Sequence, residues 1–401
     1  KLSNLDSVLK ALNKKYGEGT IVRASEAKAL NIERIPTGSL TLDIVTGGGI
    51  PENRVSLIAG QFSSGKTAIA LKIVANAQVK FKERYERLKE RGVKATLKKA
   101  VWIDAEGSFD EEWAVALGVD VSSLIIVRPE YGEQALDIAD VLLKSGECGI
   151  IVIDSIACLV PKGEADESME KLFMGDLARM MNKFFRKITA GMNNQDITNP
   201  DDKAPTILLI NQYREKIGVM YGNPQTLPGG KGQEYAASVI LEVKRGDWIE
   251  VKQERNGVVH DEIVGQWIKV FGVKNKTAPP KKSGQVRFFF NDIEGYPKKL
   301  KGQYDVLDEV VRYATFYGFI KRRGSYYYLD GMEKGFQGQD SLIQYLRDYP
   351  DIVEDLRRKV LDLVFRPEAK RQAQPELEEL ITGEKEKGEV IVLDEVKTET
   401  L

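Results

Sequence analysis

The sequence predicts an α/β fold with a mainly parallel, twisted sheet, an N-terminal helical arm and a small C-terminal α/β domain. Near-continuous apolar runs recur at RVSLIAG (54–60), KAVWIDA (99–105), SLIIVR (123–128), GIIVIDS (149–155) and TILLINQ (206–212). Strands buried on both faces read this way, because crossover helices cover both sides of a parallel sheet. Segments of helical spacing separate these runs. From about residue 295 the pattern changes to YDVLDEVVRYATFYGFI, SYYYLDG and SLIQYLRDYPDIVEDLRRKVLDLV, which reads as a separate small domain.

The bulk numbers bound the function. A chain of 401 residues implies two or three domains. With 42% hydrophobic and 30% charged residues it is globular. The formal net charge is −1, so contact with nucleic acid must come from local basic patches. Cys148 and Cys158 make no disulfide framework, and a single histidine, His260, excludes a histidine-rich metal site. No apolar run reaches the length of a membrane span and no signal-peptide pattern opens the chain. A cytoplasmic protein without membrane partners is expected.

In chain order, residues 1–35 form an arm and linker. Leu5, Val8, Leu9 and Leu12 share one helical face, either as a local cap or to dock on a neighbouring subunit. Residues 36–294 form the core. Within it, 79–99 carries nine basic and three acidic residues and reads as an extended helix with a basic end. Residues 192–205 read as a surface loop, and SVILEVKR (238–245), WIKVFGVK (267–274) and VRFFF (286–290) as added strands. Residues 295–372 are the small domain. The tail 373–401 is acidic and expected to be disordered.

GQFSSGKT (60–67) matches G-x-x-x-x-G-K-[ST] and stands between an apolar strand and a helical run, as a phosphate-binding loop requires. Its glycines let backbone N–H groups face phosphates, and the helix N-terminus adds positive dipole. The candidate nucleotide residues are Gly60, Gln61, Phe62, Ser63, Ser64, Gly65, Lys66, Thr67 and Ala68. Lys66 would reach the β- and γ-phosphates and the Thr67 hydroxyl would hold Mg²⁺. Asp154, ending a second buried strand, would hold the same ion through water. Glu106, past a third strand, either orients the attacking water or is a surface or capping carboxylate.

These pieces closely resemble the bacterial RecA family, from about residue 8 to 370. LNKKYGEGTI, IPTGSLTLDIVTGGGIPENRV, IDAEGSFD, GEQALDIAD, VIDSIACLVPK, MGDLARMM, LLINQYREKIGVMYGNPQT and GVKNKTAPP are similar to family motifs and stand in family order. The resemblance implies a RecA-type core that uses ATP and Mg²⁺, assembles into a helical filament on single-stranded DNA and pairs it with homologous duplex. It implies that Glu106 is the catalytic carboxylate and that Gln212 senses the γ-phosphate. Trp113, at the place of an adenine-stacking aromatic, keeps a flat π-face, with Asp110 and Phe290 nearby in the pocket. Lys274 and Lys276 would act on the ATP of the adjacent subunit, as arginine fingers do.

Two segments resemble the family's DNA-binding loops. The first, about 163–173, is acidic and poorly matched; Met174 follows it. The second, about 213–230, offers Arg214 and Lys216 to phosphates and Ile217, Met220 and Tyr221 to bases, with Gly229 and Gly230 giving freedom. Arg179 and Arg186, seven apart, are further phosphate candidates. In the small domain Lys298, Lys299, Lys301, Lys321, Arg322 and Arg323 suit duplex phosphates. The acidic tail either competes for them or aids solubility. A hexameric motor or helicase on the same core is the alternative, but it leaves NQYREKIGVMYGNPQT and VKNK unexplained.

Overall fold

The computed structural model describes residues 4–17, 21, 32–166, 175–193, 203–215, 225–255, 258–293 and 299–365. Met174, Lys216, Ile217, Met220, Tyr221, Lys298, residues 194–202 and the acidic tail lie outside the described residues. The chain divides into two compact units. One comprises Lys1–Gly38 with Val45–Tyr304, the other Ser39–Ile44 with Asp305–Leu401.

The larger unit begins with helix α1 (Asn4–Tyr16), whose Leu5 and Val8 are exposed. β1 (Arg34–Ile35) pairs antiparallel with β2 (Ile50–Pro51), and α2 (Leu40–Thr46) lies between them in the chain. Then come β3 (Val55–Gly60), α3 (Lys66–Glu90), β4 (Lys99–Asp104), α4 (Glu111–Ala116), β5 (Ile125–Val127), α5 (Gly132–Lys144) and β6 (Cys148–Asp154). The short α6 (Lys162–Ala165) and long α7 (Asp176–Asn193) lead to β7 (Thr206–Gln212). A two-residue ladder of β8 (Arg214–Glu215) and β9 (Gln225–Thr226) follows, then α8 (Gly232–Ala236). β10 (Val239–Arg255), β11 (Val258–Asn275) and β12 (Ser283–Phe289) complete the unit.

Eight strands form one sheet in the order β12-β11-β10-β3-β7-β6-β4-β5. The six from β10 to β5 run parallel, and β11 and β12 add an antiparallel edge. The apolar runs at 54–60, 99–105, 149–155 and 206–212 form four adjacent inner strands, β3, β7, β6 and β4, as expected. SLIIVR differs. It forms the edge strand β5, where Ile125 and Ile126 are exposed at 42% and 37%, because among the described residues no further strand covers that side.

On one face, α5 and α7 pack against the sheet. Met181, Phe184, Phe185 and Ile188 of α7 meet Ile151, Ile153 and Leu209 at i, i+3, i+4, i+7 spacing. Each such buried side chain contributes about 1.5–3 kcal/mol of transfer free energy. The basic stretch at 79–99 is, as read, largely helix: α3 continues to Glu90.

The smaller unit contains α9 (Val306–Phe316), the antiparallel strands β13 (Ile320–Arg323), β14 (Tyr326–Leu329) and β15 (Phe336–Gln337), then α10 (Gly338–Asp348) and α11 (Pro350–Phe365). Leu40 and Ile44 join its core with Val310, Ala314, Leu342 and Val360. Glu309, fully buried, ties Ser39–Ile44 to α9. Its carboxylate accepts from Ser39 Oγ at 2.6 Å, Thr41 N at 3.0 Å and Leu40 N at 3.2 Å, satisfying N–H groups that the first turn of α2 leaves free.

Candidate nucleotide and DNA site

A parallel sheet gathers the C-terminal ends of its strands on one edge, and loops leaving that edge form the ligand site. Here the register places Gly60, ending β3, level with Gln212, ending β7. Asp104, ending β4, is level with Asp154, ending β6. The sequence-predicted phosphate loop, Asp154, Glu106 and Gln212 therefore share one edge.

The loop folds as its residues require. Ser63 and Gly65 adopt positive φ of 54° and 91°. A Cβ on Gly60 would meet Val243 O at 2.2 Å, so only glycine fits there. Ser64 Oγ donates to Gln61 O at 2.8 Å, and the Lys66 ammonium donates to the same carbonyl at 2.5 Å. Phe62 projects from the loop, 75% exposed. Ala68 is buried in the first turn of α3.

Lys66 is buried, and burial pulls its pKa down despite the opposing charges of Asp154 and Glu106. Thr67 Oγ1 donates to Asp154 Oδ2 at 3.1 Å, while Asp154 Oδ1 is buried without a hydrogen-bond partner. Burial first, then the charges of Glu106 and Asp104, push the Asp154 carboxyl up to about 7. A buried carboxylate oxygen left unsatisfied beside a hydroxyl is costly unless a cation meets it. This all-oxygen pair fits Mg²⁺, which takes one or two protein oxygens and keeps water and phosphate for the rest. Glu106 is exposed two residues beyond β4, and its backbone N–H donates to Asp154 O at 3.1 Å.

Asp104 escaped the sequence reading. Buried at the end of β4, it accepts from Ser108 N at 3.0 Å and Phe109 N at 3.3 Å and lies 3.5 Å from Arg128 Nε. It thus shapes the turn that carries Glu106. The only sequence signal was a second acid two residues before Glu106.

The expected base-pocket residues fall into two aromatic pairs. Asp110 caps α4 by accepting from Trp113 N at 2.9 Å. Trp113 packs edge-on against Phe288, with centroids 6.1 Å apart. Phe290 packs edge-on against Trp248 at 6.2 Å. Phe288 and Trp248 both stand opposite Gln266, the central residue of a row across three strands. Gln266 Nε2 lies 3.6 Å from where a Gly65 Cβ would stand, so this row begins beside the phosphate loop.

The second candidate DNA segment starts directly after Gln212. Arg214 is exposed and donates to Ala157 O at 3.4 Å, and β8 pairs with β9 across the segment's base. Its far end is held by two buried amides that sequence reasoning did not find. Asn211 Nδ2 donates to Pro228 O at 2.9 Å and to Gln233 Oε1 at 2.8 Å. Gln233 Nε2 donates to Pro228 O at 2.7 Å and Gly230 O at 3.0 Å. Asn211 Oδ1 also accepts from Gln212 N at 2.9 Å. Gly229 and Gly230 have φ of 85° and 75°, where L side chains are strained.

A cleft of about 240 Å³ is lined by Gln61 and Phe62 of the phosphate loop, by Tyr213 and Gln225 of the second segment, and by Lys244 and Arg245. Burial, with Glu242 and Glu234, pushes the Tyr213 hydroxyl up to about 12. Arg179 and Arg186 are exposed on α7, opposite its buried stripe, and Arg179 pairs with Asp176.

Lys274 and Lys276 are not brought to this chain's own phosphate loop. Lys274 is level with Ile240, and Ile240 with Leu57, three residues short of Gly60. That offset is about 10 Å along the strand. Both ammonium groups donate to Tyr235 O, Lys276 at 3.1 Å, and Lys274 also to Glu234 O. Burial first, then the Lys276 charge, lowers the Lys274 pKa.

Among the described residues no helix is long and apolar enough to cross a membrane. Residues 3–294 match the RecA N-terminal domain and residues 308–364 the RecA C-terminal domain. Protein RecA of Bifidobacterium breve is 40% identical over 357 residues, covering 89% of this chain and 80% of that protein. Protein RecA of Thermus aquaticus is 38% identical over 364 residues, 90% of this chain and 94% of its own. Protein RecA of Aquifex pyrophilus is 37% identical over 372 residues, 92% and 94% of the two chains. With its strand-end phosphate site and both domains matched, the chain belongs to the RecA family of DNA-dependent ATPases that carry out homologous recombination.

Proposed function

We propose that this chain binds ATP with Mg²⁺ at Gly60–Thr67, assembles into a helical filament on single-stranded DNA and pairs that strand with homologous duplex. The observation that carries the reading is the Thr67–Asp154 pair, with its buried, unpartnered carboxylate oxygen, on the same sheet edge as Gln212. Lys66, Thr67 and Asp154 bind and orient. Bound Mg²⁺ would neutralise charge on the β- and γ-phosphate oxygens. Glu106 accepts the proton of the attacking water, which needs a carboxylate within reach of solvent. Trp113 and Phe290 flank the base, with Asp110 holding the turn of Trp113.

Gln212 touches the γ-phosphate while its chain neighbours form the DNA segment. ATP binding thereby favours the DNA-binding state, and hydrolysis releases it. Arg214, Lys216, Arg179 and Arg186 meet phosphates, and Ile217, Met220 and Tyr221 meet bases, with Met174 in the first segment. Lys274 and Lys276 act in trans, since they sit about 10 Å short of their own chain's loop edge along the strand. A heterologous contact that does not close gives a filament rather than a ring. The arm of residues 1–35 packs on the neighbouring subunit, and the smaller unit, through Lys321, Arg322 and Arg323, receives duplex; Lys299 and Lys301, read from the sequence as part of that domain, belong to the larger unit.

The test is ATP hydrolysis with and without single-stranded DNA, with electron microscopy of the same samples in a slowly hydrolysed ATP analogue. Strong stimulation with open helical filaments is expected. Closed rings, or hydrolysis indifferent to DNA, would favour a hexameric motor instead.

A further inference from the structure

Arg34 has no part in the nucleotide or DNA sites above, yet it grips the turn that follows the two interface lysines. From β1 its guanidinium donates to Thr46 O and Gly49 O, each at 3.2 Å, and to Thr277 O at 2.8 Å. Asn275, between the lysines, meets the same strap: its Nδ2 donates to Thr46 O at 2.7 Å. Its Oδ1 accepts from Thr277 N at 2.8 Å, and from Thr277 Oγ1 and Ala278 N at 2.9 Å.

The glycines of TGGG are shaped to this contact. Gly47, Gly48 and Gly49 have φ of 85°, 115° and 113°. A Cβ on Gly47 would come within 2.2 Å of Ala278 Cβ, and one on Gly48 within 3.1 Å of Arg34 Cδ. A guanidinium fork can bridge carbonyls on two segments at once; a lysine ammonium on the same stem reaches one side.

We infer that Arg34 is a positioning residue for hydrolysis in the neighbouring subunit, locking the turn Asn275–Ala278 onto Thr46–Gly49 and so fixing the backbone from which Lys274 and Lys276 extend. The inference rests on the proposed trans role of those lysines. Arg34→Met then lowers DNA-stimulated kcat on the order of 10²-fold, the cost of misplacing a reacting group by about 1 Å. The affinity of the dispersed subunit for a fluorescent ATP analogue stays unchanged, because its own phosphate loop is intact. Arg34→Lys falls between Arg34→Met and the parent, and also serves if Arg34→Met fails to fold.

Mixed filaments give the decisive measurement. Arg34→Met has a sound phosphate loop and displaced lysines. Glu106→Gln lacks the carboxylate that activates water at its own ATP site but has sound lysines. Mixed one to one, about a quarter of head-to-tail interfaces combine the sound halves, and DNA-stimulated hydrolysis returns in that proportion. The double variant Lys274→Met/Lys276→Met mixed with Glu106→Gln is the control. Recovery in both mixtures supports the inference. Recovery with the lysine variant but not with Arg34→Met overturns it. Recovery in neither overturns the trans reading on which it stands.

Discussion

Gln212 stands between two neighbours with different tasks. Its strand partner is Gly60, the first residue of the phosphate loop, and the residues after it open the proposed DNA segment. Gln212→Ala is therefore expected to keep nucleotide affinity within about twofold while losing most DNA-stimulated hydrolysis, since the proposed relay adds one contact to a nucleotide that the phosphate loop already holds. Full DNA-dependent turnover in that variant would reject the coupling. The neighbouring Asn211 is a separate case. Asn211→Leu leaves Gln233 Oε1 and the Gln212 amide short of partners, each at a cost of about 1–3 kcal/mol. It should weaken single-stranded DNA binding in a fluorescence anisotropy titration while ATP-analogue binding holds. Equal loss of both would show that Asn211 supports the whole edge. At this scale the sequence was legible where chemistry is local. GQFSSGKT is bracketed by its own strand and helix, so its eight residues could be named in advance. Asp104, Asn211, Gln233 and Arg34 act through partners that only the tertiary fold supplies, and polar residues of those types are too common to single out.

At the scale of elements, the end of the proposed DNA segment is fitted to α7 and to the turn after β6. A Cβ on Gly229 would lie 2.9 Å from Ile156 Cγ2 at a φ of 85°, so Gly229→Ala should cost about 1–3 kcal/mol of local strain. The result is a lower DNA affinity; unchanged affinity would show that this end of the segment does not matter to DNA. At the opposite sheet edge, β1, β2 and α3 are held by an ion network. Arg84 meets Glu33 at 2.5 Å and Glu52 at 2.8 Å, and Lys80 and Lys203 join them. Burial would raise the Glu33 carboxyl, but Arg84, Lys203 and Lys80 overcome it and hold the pKa at about 2, from an ordinary 4.5. A depressed carboxylate stabilises the fold above its unfolded pKa, and that contribution is lost as pH falls from about 4.5 towards 2. Glu33→Gln should flatten the fall in denaturant-unfolding stability over that window; identical slopes would remove Glu33 as its source. Strand existence was legible from apolar runs, but strand order was not. Nothing in SLIIVR distinguishes an edge from a centre, because the run is apolar in either place.

For the whole molecule, the sequence pattern located a change near residue 295, and the compact units divide after Tyr304. The surprise is Ser39–Ile44, which lies far upstream in sequence yet completes the smaller unit's core with Leu40 and Ile44. No local pattern marks such a segment, since its apolar residues would serve either core equally well. Glu309→Leu should destabilise the smaller unit by about 1–3 kcal/mol, because the first turn of α2 loses its acceptor. A calorimetric trace identical to the parent's would contradict that. The ATP site, the proposed DNA segment and the proposed interface lysine pair would together make one strand-pairing machine. Its most direct test is joint-molecule formation between labelled single-stranded DNA and a homologous duplex. Joint molecules are expected with ATP and Mg²⁺, none without nucleotide, none with a heterologous duplex, and none when Lys66→Ala replaces the parent. Joint molecules formed equally without nucleotide, or none formed under any condition while ATP is hydrolysed, would contradict it.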